Sequence, residues 1–145
     1  MTHRVIKGVL AGLIILGWMQ AYANDTVSIT LNGVSSMSSP LQEGQVISHG
    51  QISTQMVHRG YHVWLNAERN GDAPNRYILT GKYNQRNKIY VIIGQDGWVP
   101  DSKSGVGIIK QTKESQAQFD IVVSGTQAVS ADSYVIIVQG QYLVP

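Results

Sequence analysis

The side chains in this sequence that could do chemistry are four histidines, a scatter of serines and nine acidic residues, and the chain has no cysteine. Without cysteine there can be no thiol nucleophile, thiolate metal ligand or disulfide. His58 and His62 stand four apart, a spacing that sets two metal ligands together on a helix. Gly60 between them and the alternating flanks make this a turn or a strand instead. Along a strand, residues four apart are separated by about 13 Å, too far for one metal ion. The pair therefore reads as two surface histidines, with no metal. No Gly-x-Ser-x-Gly elbow accompanies the serines, so a Ser-His-Asp triad would have to be assembled by the fold alone. Gly105-Val106-Gly107 lacks the third glycine and the following helix of a dinucleotide loop and reads as a turn. Arg69-Asn70-Gly71-Asp72 lacks a contiguous Arg-Gly-Asp and reads as a hairpin tip. No catalytic residue, metal site or cofactor site is specified, and the reading is of a protein that is not an enzyme.

The elements that would position any site are strands, because apolar residues alternate with polar ones instead of recurring every three or four positions. Val27, Ile29 and Leu31 share one face of a first strand, closed by the turn-forming Asn32-Gly33. A Ser-rich link containing Pro40 follows. Ile52, Thr54 and Met56 alternate, as do Tyr61, Val63 and Leu65 after Gly60. Glu68 to Asn75 reads as an exposed turn, Tyr77 to Thr80 as a strand, and Lys88 to Gly94 as the most strand-prone segment. Pro100 to Gly107 and Ser124 to Ser133 are loops around a strand carrying Phe119, Ile121 and Val123. The chain closes on its longest alternating stretch, with Tyr134, Ile136, Val138, Tyr142 and Val144 on one face. Seven or eight short strands suggest an all-β, immunoglobulin-like sandwich, which pattern alone does not separate from a closed barrel.

The N-terminus sets the compartment. Arg4 and Lys7 form a basic start, Gly8 to Trp18 an apolar run too short to span a bilayer, and Ala21-Tyr22-Ala23 a small-residue exit. Residues 1–23 are expected to be a cleaved signal peptide and residues 24–145 a single exported domain beginning at Asn24. An uncleaved anchor would need a longer apolar stretch. Of the 11 Lys and Arg, Arg4 and Lys7 leave with the leader, so nine remain against nine Asp and Glu. A charge near zero gives no footing for nucleic-acid binding.

Several blocks together carry a family resemblance: Gly60-Tyr61-His62-Val63-Trp64-Leu65-Asn66, Arg76-Tyr77, Gly94-Gln95-Asp96-Gly97-Trp98-Val99-Pro100, and the tail Tyr134 to Pro145. In order and spacing they resemble the AfaD/DraD invasin-type minor pilins, tip subunits of Gram-negative fimbriae built by the chaperone–usher pathway. Salmonella's SafD and the aggregative-adherence minor subunits are similar to this group. The resemblance spans the whole mature chain. It implies an immunoglobulin-like sandwich lacking its last strand, G, so that Tyr134 to Val144 is strand F and nothing follows it. The gap between strands A and F would be filled by a periplasmic chaperone and then by a donor strand from the next subunit, a known case of strand addition. The groove would be lined by Val27, Ile29 and Leu31 on strand A and by Tyr134, Ile136, Val138 and Tyr142 on strand F. The implied partners are the periplasmic chaperone, an outer-membrane usher, a major pilin and a host-cell receptor that the sequence does not name. The implied route runs through the periplasm to a fimbrial tip at the cell surface, in adhesion or invasion. Members of the AfaD type carry a cysteine pair that falls here on Thr54 and Tyr142, both replaced.

A donating subunit needs an extension of about fifteen residues before its first strand. Here strand A is read as starting at Thr26, so the chain is expected to receive a strand and not to give one, which is the position of a tip. Alternatively Thr26 to Leu31 is itself the extension, which leaves the Ser-rich link as a poor first strand. Two other functions remain open: a free secreted glycan-binding sandwich, with Trp64 and Trp98 as exposed aromatics, and a secreted hydrolase. For both tryptophans the core is the preferred place.

Overall fold

The alternating stretches form strands, and the described residues contain no helix. The computed structural model describes residues 13–22, 27–33, 36–95 and 97–145, the strand over 13–22 through its backbone. Arg4, Lys7, the Ala23 to Asn24 exit, Thr26 and Asp96 lie outside the described residues.

The described residues form twelve strands: β1 Leu13–Tyr22, β2 Ser28–Gly33, β3 Ser36–Ser38, β4 Val46–Ser53, β5 Gly60–Leu65, β6 Glu68–Arg69, β7 Arg76–Thr80, β8 Lys88–Gly94, β9 Val99–Pro100, β10 Ile108–Gln111, β11 Gln116–Val123 and β12 Ser133–Leu143. They make two six-stranded sheets, ordered β3-β1-β12-β5-β10-β9 and β2-β4-β11-β8-β7-β6. All strand pairs are antiparallel except β1 with β12, which run parallel. Between the sheets, Tyr61 and Val63 of β5, Ile89, Val91 and Ile93 of β8, Phe119 and Ile121 of β11, and Tyr134, Ile136 and Val138 of β12 lie fully buried in one apolar cluster. Inward residues at every second position are what a half-buried strand requires.

The structure departs from the alternation in instructive places. β4 runs from Val46 to Ser53, earlier than the Ile52 to Met56 reading. Ile47 and Ile52 have opposite parity yet are both fully buried. A bulge reconciles them: Ile121 pairs with Ser48 and Val122 with Val46, leaving Ile47 as an extra residue that flips the face. The strand stops because the Thr54 hydroxyl accepts the Met56 N–H at 3.1 Å, a local turn that competes with the ladder. β10, unforeseen in the sequence, is short and turns mainly Ile108 inward. Glu68–Arg69 within the expected turn pairs briefly with β7. Gly107 has φ +76, and a Cβ there would fall 2.3 Å from the Val63 carbonyl oxygen, so the turn can close against β5 only with glycine.

The tryptophans divide. Trp98 is 7% exposed, donates its indole N–H to the Gln118 carbonyl at 2.6 Å and meets the Phe119 ring edge-on. Trp64 is not one of the fully buried core residues but packs against them. It alternates with Tyr61, Val63 and Leu65, which face inward, and is half-buried, donating to Gln139 Oε1 at 2.8 Å.

Candidate functional site

The site is a slot in the first sheet beside β12. In the order β3-β1-β12, the strand next to β12 on its outer side is β1. Its register runs in parallel from Ile15 opposite Ser133, through Met19 opposite Ile136, to Tyr22 opposite Gln139. At its other end Leu13, Ile14 and Ile15 pair antiparallel with Ser38, Met37 and Ser36 of β3. Strands in a sheet sit about 4.8 Å apart, so without β1 the β12 and β3 backbones would face each other across roughly 10 Å, with unpaired N–H and C=O groups on both.

Beneath the slot the walls are apolar. Tyr134, Ile136 and Val138 are fully buried along β12, and the Tyr134 hydroxyl donates to the Ser130 carbonyl at 2.6 Å. Burial, with the Asp132 charge nearby, pushes the Tyr134 phenol above its ordinary pKa. Val27 is buried, and Ile29 and Leu31 are half-buried against the core. The strand of Ile29 and Leu31, β2, which Val27 just precedes, is not the neighbour of β12 that a simple A–F gap implies. It forms the edge of the opposite sheet, paired with β4, and the strand bordering the slot is β3 from the Ser-rich link. Ile29 therefore approaches β12 from the facing sheet. A Cβ on Gly140 would lie 3.1 Å from Ile29 Cδ1 and 2.9 Å from Ile52 Cδ1, so a side chain at 140 would collide with the floor of the sandwich. Tyr142 is half-buried opposite Tyr61, beyond Gln139 where the β1 pairing ends. Tyr134, Ile136 and Val138 thus lie along the strand that borders the slot, Ile29 and Leu31 pack on the core from the opposite sheet, and Tyr142 lies beyond the stretch of β12 paired with β1. β3 was hidden because a lone Met37 among serines gives no alternation to read.

The start of β12 is fixed by one carboxylate. Asp132 Oδ1 accepts the backbone N–H of Tyr83 at 3.1 Å and of Ser133 at 2.7 Å. Its Oδ2 accepts from the Asn84 N–H at 3.1 Å and Asn87 Nδ2 at 3.0 Å. The 81–87 loop is thereby anchored against the first residue of the slot wall.

The histidines are not a surface pair: His58 is 7% and His62 9% exposed. His58 bridges two loops, with Nδ1 2.7 Å from the Met56 carbonyl oxygen and Nε2 2.8 Å from that of Glu114. The loop ahead of β10 covers His62, whose Nε2 is 2.6 Å from the Val106 carbonyl oxygen and 3.6 Å from Asp101 Oδ2. Both rings are thus engaged by backbone carbonyls, and no three His, Asp or Glu side chains among the described residues converge as metal ligands would. Ser104, Asp101 and His62 do adjoin, but in the wrong order for a nucleophile. Ser104 Oγ donates to Asp101 Oδ2 at 2.5 Å, whereas an activated serine must bond to the histidine. Asp101 instead organises its own loop, accepting from the Lys103 and Ser104 N–H groups at 3.1 and 3.3 Å. The Ser104 hydroxyl first, then these N–H groups and His62, outweigh burial and hold its carboxyl below the usual range.

With this geometry in hand, comparison with known proteins is specific. The model of the Enterobacteria AfaD invasin protein family matches residues 37–140. Protein AggB of Escherichia coli is 32% identical over 121 residues, covering 83% of each chain. HdaB, the minor tip subunit of the E. coli Hda pilus, superposes with a TM-score of 0.78 at 29% identity over 83% of this chain and 85% of that one. A structure from the AAF fimbriae of enteroaggregative E. coli, described for fibronectin binding and biofilm formation, gives 0.76 at 29% identity, covering 81% and 88%. The matched stretch holds β4 to β11 and most of β12, with the apolar wall of the slot inside it. The chain belongs to the AfaD invasin family.

Proposed function

We propose that this chain is the minor, tip subunit of a chaperone–usher fimbria: exported through the periplasm, trimmed of residues 1–23, and completed by a donor strand from the neighbouring major pilin. In this reading it contributes to adhesion to host cells or to their invasion. The observation that carries it is β12, whose outer edge is covered only by a segment belonging to the expected leader. A mature chain would expose that edge with an apolar floor beneath it, which favours aggregation unless a chaperone or neighbouring subunit supplies a strand. Tyr134, Ile136, Val138, Ile29 and Leu31 form the receiving surface, with Val27 at its margin. AAF fimbriae are described for fibronectin binding, which makes that host glycoprotein the first receptor to try.

About four or five donor side chains buried at roughly 1.5–3 kcal/mol each contribute on the order of 6–15 kcal/mol, as much as the whole stability of a small domain. Residues 24–145 alone are therefore expected to aggregate or melt at low temperature, and the same residues with a major-pilin donor sequence fused after Pro145 to melt as a stable monomer. Ile136→Asp should abolish the rescue by placing an unpaired charge in the wall. An unfused 24–145 chain that is monomeric and melts as high as the fusion would sink the reading.

A further inference from the structure

We propose that a pit on the outside of the sandwich, where β7 of the second sheet meets β12 of the first, is a saccharide site that takes one neutral hexose unit of a glycan. Recognition of the sugar stands on the pit alone; that the glycan belongs to a host surface rests on the tip-subunit reading above.

The pit arises where the two sheets join. β5 leaves β12 at Asn66, whose N–H donates to the Ile137 carbonyl at 2.9 Å, and β7 reaches the start of β12 through a bridge from Gly81 to Tyr134. Beside β12 between these contacts lies a cavity of about 530 Å³, within the range of small-ligand sites. Its floor is apolar: Ile78 of β7 with Val135 and Ile137 of β12, which alternate with the buried Tyr77, Leu79, Ile136 and Val138 and so face away from the core. The rim is polar, made by Asn66, Thr80, Gln85 and the ion pair of Glu68 with Lys88 at 3.4 Å. The lining runs in sequence from Asn66 to Ile137, all inside the mature chain.

The rim is also held in place. Gln85 sits on a turn closed by the Asn87 N–H on the Asn84 carbonyl at 2.9 Å, and Asp132 grips that turn through Asn84 and Asn87. Both polar walls are thus tied to β12 or to the residue before it, and a ligand has little ordering left to do.

The chemistry of the lining selects the ligand class. Glu68 and Lys88 neutralise each other, which leaves no net charge to hold a phosphate, a carboxylate or a metal ion. The Asn66 and Gln85 amides and the Thr80 hydroxyl each offer both a donor and an acceptor. Mixed donors and acceptors above an apolar floor match a sugar ring, with hydroxyls around its edge and C–H groups on its faces. Tyr90 supplies a further wall. Glu68, Ile78 and Tyr90 stand in one register row across β6, β7 and β8, so the Tyr90 ring, 38% exposed, flanks the pit on the same outer face. Such a ring is apolar enough to cover a C–H face and ends in a hydroxyl.

NMR titration of the isotope-labelled full chain tests the site. D-glucose, D-galactose, D-mannose and N-acetyl-D-glucosamine are the probes, with inorganic phosphate, N-acetylneuraminic acid and hexanol as charged and apolar comparisons. At least one hexose should shift the amide signals of Ala67, Thr80, Gln85 and Lys88, with a Kd of about 1–10 mM for a single ring, and leave Gln51 in β4 and Gln118 in β11 unmoved. Gln85→Ala and Tyr90→Ala should each weaken that binding about five- to tenfold, while Gln118→Ala leaves it unchanged. A thermal melt checks that each variant is folded, and Asn66→Ala, at another exposed rim position, replaces one that is not. No shift with any of the hexoses, or binding undiminished in the folded rim variants, would overturn the site. A larger response to phosphate, N-acetylneuraminic acid or hexanol than to every hexose would overturn the saccharide assignment. Hexose binding by a chain that is never found at a fibre tip would uphold the site and remove only its placing on a host surface.

Discussion

Asp101 shows how a single side chain here serves architecture. Its carboxylate gathers the Ser104 hydroxyl and two backbone N–H groups, and the loop it folds lies over His62. Because these donors favour the charged form, its folded pKa lies below the unfolded value. The stability it contributes is present above an unfolded pKa of about 3.9 and is lost as pH falls through the folded value. Asp101→Asn should cost about 1–2 kcal/mol at pH 7, and the deficit should shrink toward zero at an acid pH below the folded pKa, where the carboxyl is protonated in both states. Urea unfolding of parent and variant at the two pH values checks both the size and the sign. The residues at issue were visible in the sequence, but their grouping was not. Asp101 and Ser104 are near neighbours in a loop, whereas His62 reaches them only because β5 and β10 pair, and β10 has too little alternation to announce itself.

Among the elements, β12 depends on what fixes its first residue. The four donors on Asp132 tie the loop between β7 and β8 to the start of the slot wall, and the Lys82 N–H adds a bond to the Ser133 carbonyl at 2.7 Å. Asp132→Ala leaves those N–H groups without their acceptor and should cost about 2–3 kcal/mol. Hydrogen exchange should quicken at Tyr83 and Asn84 while Ile121 and Val122 in β11 stay protected. At the other end of the strand, Gly140→Ala should destabilise by about 1–3 kcal/mol, because its methyl meets Ile52 Cδ1. Ile52→Val, which removes that atom, should recover part of the loss in the double variant. Strand identities were legible where β-branched and aromatic residues alternate, as in β5, β8, β11 and β12. Parity was not legible through the β4 bulge. Nor was sheet membership: β2 and β3 follow closely in sequence yet lie in different sheets, a choice set by long-range pairing with β4 and β1.

For the whole molecule, the family blocks gave the architecture and the class together, since Gly60 to Leu65 and Val99 to Pro100 lie on the two strands that flank β10 in the first sheet. What they left unread was the segment beside β12, because an apolar run of that length after Arg4 and Lys7 reads as a leader and carries no strand signature of its own. The tip role proposed above puts the chain at the end of its fibre. Immunogold labelling is therefore expected to find this chain once per fibre, at the distal end, and its deletion to leave fibres of normal length. Label along the shaft would count against the assignment.

The alignment of β1 with β12 over Ile15 to Tyr22 has a mechanical consequence. A strand lodged beside β12 in this way and pulled along its own axis is loaded in shear, so the rungs of the ladder share the tension and must rupture together. A strand pulled sideways unzips one rung at a time. Any strand held in this slot and tensioned along β12, as by flow dragging on an attached cell, meets the stiffer of the two geometries, and its grip is set by the length of ladder engaged more than by any single contact.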